Sequence, residues 1–163
     1  MSDPGLRRRQ GLYDPANEHD ACGVGFVASI RGEKSHDIVS KGISLLVNLE
    51  HRGACGCDPE TGDGAGLLVQ IPDRFLRREC LEAGLELPPE GRYAVGMIFL
   101  SQDPAACARQ AELLEVVVRA EGQEVLGWRD VPADGDEIGW LARESMPTVR
   151  QIFIAATGAL ADD

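Results

Sequence analysis

Two clusters of residues in this sequence could do chemistry: Cys22, inside "EHDACGVGFVAS" at residues 18–29, and the loop "HRGACGCDPETGDGAG" at residues 51–66. Within a chain, the nitrogen of Cys22 is an amide with no basicity. If the Ala21–Cys22 bond is broken, Cys22 gains an α-amine whose pKa of about 7.7–8.0 suits it to take the proton of its own thiol near neutral pH. A base matched to the working pH in this way is worth roughly 10²–10⁴-fold in rate. Gly23 and Gly25 would leave room beside the sulfur for a substrate. The competing reading is a buried structural thiol at the start of a strand, the commoner habit of free cysteine.

The loop offers a cation and glycine-rich backbone. Arg52, beside His51, could hold a carboxylate or steer a carbonyl through its forked donors. The competing reading, and the commoner one for such an arginine taken alone, is that it satisfies the last carbonyls of the preceding helix. "TGDGAG" lets backbone approach a ligand closely, but it is neither a GxGxxG nor a GK[ST] phosphate loop. Asp58, Glu60 and Asp63 miss the spacing of a calcium loop. A metal site built on Cys55 and Cys57 would need further ligands at suitable spacing, Cys22 being the only one in prospect. His19, His36 and His51 are scattered and read as solvated or hydrogen-bonded.

These clusters need elements to carry them. Residues 22–30, "CGVGFVASI", are apolar and β-rich, which predicts a buried strand. Residues 36–50 place Ile38, Val39, Ile43, Leu46 and Leu49 at helical spacing, with Ser35 as N-cap. The loop 51–66 separates this helix from a strand at 67–71. A short helix over 73–83 is closed by Gly84, and a strand follows at 92–100. Asp103 and Pro104 start a helix that runs to Glu121 and stops at Gly122. Strands at 123–131 and 149–156 complete the pattern, with a short helix near 135–143. The alternation predicts an α/β layered domain. Cys80 and Cys107 fall in the helices and read as small buried hydrophobes.

The chain has 163 residues, 44% of them hydrophobic, enough for one domain with a core. Its net charge of −11 argues against nucleic acid or an anionic membrane as a partner. Arg7, Arg8 and Arg9 do not alter this, since Asp3, Asp14, Glu18 and Asp20 surround them. No apolar run is long enough to cross a membrane, and no h-region follows the arginines, so a cytoplasmic location is expected. Five cysteines without a secretory signal make a disulfide framework improbable.

The stretches "GLYDPANEHDACGVGFVA" and "LVNLEHRGACGCDPETGDGAGLLVQIPDRF", with the later "YAVGMIFL" and "GQEVLGWRDVP", closely resemble the start of the large subunit of the glutamate synthase family, whose members use NADPH or ferredoxin. The resemblance covers nearly the whole chain and outweighs the structural reading of Cys22. It implies a class II glutamine amidotransferase domain of the N-terminal-nucleophile type, an αββα sandwich of which only the N-terminal portion is present. Residues 1–21 would be a propeptide, and residues 22–163 the first part of the domain. Cys22 would be the nucleophile that attacks the side-chain amide of L-glutamine, and Arg52 would help order the site. Asp63 and Gly64 would lie in a loop nearby, without a chemical role. The resemblance also implies FMN and an iron–sulfur cluster in later domains, and a small NADPH-oxidising subunit or ferredoxin as electron donor. Neither Cys55 nor Cys57 is expected to ligate that cluster. The oxyanion donors and the groups that grip the glutamine are expected beyond Asp163, so the chain alone should be inactive. The alternative is a catalytically incomplete structural fragment of the same enzyme.

Overall fold

The computed structural model describes residues 23–49, 61 and 64–158. They belong to two compact units, each described by itself.

The first unit contains helix α1, His36–Asn48. Ser35 is its N-cap in extended backbone, as the sequence predicts, yet makes no side-chain capping bond. The first turn is held instead by a contact between Ser40 Oγ and His36 Nδ1 at 3.2 Å and by Lys41 on Asp37 at 2.6 Å. The covered stripe of α1 runs through Ile38, Gly42, Leu45 and Leu49. Ile43, predicted to be buried, lies on the flank and is 49% exposed.

The second unit is built on three strands, β1 (Tyr93–Leu100), β2 (Glu124–Asp130) and β3 (Thr148–Ala155). They form one antiparallel sheet in the order β1-β3-β2. Helix α2, Asp73–Glu82, covers one face. Its Leu76 and Cys80 pack with Leu87, Tyr93 and Phe153, and Phe153 and Cys80 are wholly buried. Helix α3, Pro104–Ala120, covers the other face. There Trp128, opposite Ile152 in the register, donates its Nε1–H to Glu115 at 2.8 Å. Directly opposite residues of an antiparallel pair share a face, so Phe153 and Ile152 fill the two sides of the sheet.

Helix ends follow local chemistry. Asp103 accepts from the Ala106 N–H at 2.7 Å, and Pro104 opens α3. Gly84 and Gly122 adopt φ of 75° and 73°. Beyond them Leu85 N–H returns to Cys80 O at 2.7 Å and Gln123 N–H to Val118 O at 3.1 Å, the Schellman pattern. A fourth helix, α4, occupies Trp140–Ser145, later than the predicted 135–143. Asp134 takes the Asp136 N–H in a side-chain turn that delays it, and Pro147 forces Met146 into extended backbone that ends it.

Two predicted strands are corrected. Within 23–30 and 67–71 no residue joins a β-ladder. A strand exists only when a neighbour supplies complementary N–H and C=O groups, and no described segment does so here. Val24 and Phe26 are consequently 92% and 90% exposed, and Leu68 is fully exposed. Cys80 is buried as expected, whereas Cys107 is only half-buried.

Candidate functional site

The two predicted site residues, Cys22 and Arg52, lie outside the described residues, as do His19, His51, Cys55, Cys57, Asp58, Glu60 and Asp63. What the structure does show is the scaffold immediately beside Cys22. Gly23 and Gly25 face α1. A Cβ placed on Gly23 would come 2.8 Å from Leu49 Cδ2, and one on Gly25 would come 2.5 Å from Leu45 Cδ1. Leu45 and Leu49 are four apart and therefore neighbours on one helix face, as Gly23 and Gly25 are on one side of an extended segment. On this side the clearance that the glycines provide admits the helix.

Helix α1 also meets the residue after "TGDGAG". Leu67, which follows "TGDGAG", sits over Gly42, where an added Cβ would meet Leu67 Cδ2 at 2.9 Å. Gly64 and Gly66, by contrast, have open space where a Cβ would stand. The residues that sequence reasoning missed are therefore Leu45, Leu49 and Gly42. Two glycines at i and i+2 and two leucines at i and i+4 are visible in the sequence, but nothing in it pairs the one with the other.

The other titratable clusters are structural. Asp73 accepts from Tyr93 Oη at 2.9 Å and from Arg77 Nη2 at 2.7 Å, while Arg77 also donates to Leu87 O and Pro88 O. Burial, reinforced by the bond to Asp73, pushes the Tyr93 hydroxyl up to about 12. Arg129 donates to Glu79 at 2.6 Å and to Gln151 at 3.0 Å, and Glu79 is held below the usual carboxylate range chiefly by that Arg129 bond. Burial raises the Cys80 thiol, which makes it a poor nucleophile. Among the described residues no buried side-chain nitrogen or oxygen lacks a partner, and no three His, Cys, Asp or Glu residues converge as metal ligands. The predicted metal alternative at Cys22, Cys55 and Cys57 lies outside the described residues.

Residues 22–163 match the family described as glutamine amidotransferases class-II. The chain belongs to that family. The amidotransferase chain is also 49% identical over 158 residues to the glutamate synthase [NADPH] large chain of Bacillus subtilis, covering 97% of this chain and 10% of that protein. It is 41% identical over 154 residues to glutamate synthase [NADH] of Schizosaccharomyces pombe, covering 94% and 7%. Against ferredoxin-dependent glutamate synthase 2 of Synechocystis it is 40% identical over 146 residues, covering 90% and 9%. It spans about a tenth of the length of these curated relatives.

Proposed function

We propose that this chain contributes the nucleophile-bearing part of the glutaminase domain of a glutamate synthase. The observation that carries the reading is the family match over residues 22–163, whose first residue is Cys22. Residues 1–21 are the leader, and their removal frees the α-amine of Cys22. That amine takes the thiol proton, and the thiolate adds to the side-chain amide carbon of L-glutamine. The tetrahedral oxyanion collapses, the C–N bond breaks, and the leaving nitrogen takes the proton back as ammonia departs. Water then cleaves the γ-glutamyl thioester, releasing glutamate and restoring the thiol. Arg52 orders the site from the loop that follows α1. The ammonia is destined for 2-oxoglutarate, so the whole protein serves glutamate biosynthesis in the cytoplasm.

FMN and the iron–sulfur cluster of such an enzyme belong to other parts of the polypeptide. Among the described residues no three candidate metal ligands converge, and the thiol of Cys80 is sealed in the apolar core, so these residues do not fit a cluster. The electron donor is a small NADPH-oxidising subunit or ferredoxin; the relatives' names include NADPH, NADH and ferredoxin. One observation favours a second reading of the chain taken alone. Val24, Phe26, Ile30 and Leu68 are almost wholly exposed, as in a catalytically incomplete fragment of that enzyme. Intact mass and ammonia release test both readings. The active protein should lack residues 1–21, and Cys22→Ala should release no ammonia from glutamine. Full activity of a mature protein that retains its first 21 residues would overturn the nucleophile reading. Full activity of the 163-residue chain alone would overturn the second.

A further inference from the structure

We propose that Leu45 and Leu49 of α1 are positioning residues for Cys22, acting through Gly23 and Gly25; this rests on the reading of Cys22 as the nucleophile. Gly23 is bonded directly to Cys22, and its missing side chain is replaced by the isobutyl group of Leu49, with Cδ2, Cδ1 and Cγ at 2.8, 3.1 and 3.2 Å from the place a Cβ would take. Two residues on, Leu45 presents Cδ1, Cδ2 and Cγ at 2.5, 2.9 and 3.1 Å to Gly25 in the same way. Each contact involves the whole branch of the leucine, so a turn about χ2 alone leaves Cγ in place and only a change of χ1 clears the space. Carbon atoms pack at about 3.5–4.0 Å, so a methyl on Gly25 requires Leu45 to leave its rotamer or the segment and the helix to separate by about 1 Å. A displacement of that size in a reacting group costs on the order of 10²-fold in rate.

The rest of the segment shows why the contact must be made here. Val24 and Phe26, on the opposite side, are 92% and 90% exposed. No β-ladder bonds fix residues 23–30. The two glycine–leucine contacts hold residues 23–25 close against α1. They form a two-point register, since a slip of one residue would drive Val24 into the helix.

The test uses the polypeptide encoded by the complete reading frame and a chloromethyl ketone analogue of glutamine. The Cys22 thiolate displaces chloride, forming a C–S bond as the C–Cl bond breaks, and peptide mass spectrometry locates the label. Gly25→Ala should slow labelling of Cys22 about 10- to 100-fold, and adding Leu45→Ala should restore it to within about threefold. Leu45→Ala alone, a truncation at a half-buried site, should lower the maximal labelling rate by about tenfold while leaving the half-saturating concentration unchanged. Gly23→Ala with and without Leu49→Ala repeats the comparison if Gly25→Ala does not fold. Wild-type labelling rates in the single glycine variants, or doubles no faster than the singles, would overturn the positioning role while leaving the nucleophile in place. A wild type that is not labelled at Cys22 overturns the nucleophile reading and this role with it.

Discussion

The segment beside Cys22 and the strand β3 begin from similar sequence and end differently. "CGVGFVASI" and "TVRQIFIA" are both apolar and rich in β-branched or aromatic residues. β3 lies between β1 and β2, pairs along both edges, and buries Ile152 and Phe153 almost completely. Residues 23–30 have no ladder partner among the described residues, and Val24, Phe26 and Ile30 remain in solvent. Apolar β-rich composition therefore states a preference, and a neighbour's hydrogen bonds and a cover over the face convert it into a strand. The first segment is located by glycines against a helix, an arrangement that leaves its other side open.

The largest test of this contrast is a pair of truncations. Phe153→Ala should cost about 3–5 kcal/mol in a denaturant titration, the range for a buried aromatic. Phe26→Ala should change stability by less than about 0.5 kcal/mol, as exposed positions do. Equal losses would mean that residues 23–30 are covered as β3 is.

Alkaline pH gives the next largest effect and acts on the sheet unit. The hydroxyl of Tyr93 titrates near 12 when folded, against about 10 in the unfolded chain. The folded state thus holds a proton that the unfolded state loses. Its contribution is complete below pH 10 and disappears as pH rises towards 12, with a slope of up to about 1.4 kcal/mol per pH unit. Tyr93→Phe should flatten this part of the stability profile; an unchanged slope in the variant would remove Tyr93 as its source.

The smallest effect compares two helix starts. Asp103→Ala removes a bonded cap from α3 and should cost about 1 kcal/mol. Ser35→Ala at the start of α1 removes no capping bond and should cost only a few tenths. A thermal melt of each variant measures the difference, and a larger loss at Ser35 would show that its hydroxyl caps α1 in solution.

Much of the fold was legible along the chain. Asp103 with Pro104, and the glycines at 84 and 122, mark helix ends because their chemistry is spent within a few residues. The displacement of α4 came from a side-chain turn at Asp134 that periodicity does not register. The family was legible too, because the runs around Cys22, "HRG" and "TGDGAG" form long specific motifs, and the family match agrees with that assignment. The partners of Gly23 and Gly25 were not legible: glycine leaves space in a sequence without saying what fills it.

Residue order alone marked α1, α2 and α3 and the Asp103 cap, because each depends on groups within one or two turns of chain, and its long motifs marked the family. Only the folded molecule decided that β3 lies between β1 and β2, and that Leu45 and Leu49 meet the glycines after Cys22. Those contacts join residues 20 or more positions apart, and which of many apolar partners meets another is chosen by packing and by hydrogen bonds that no short stretch of sequence contains.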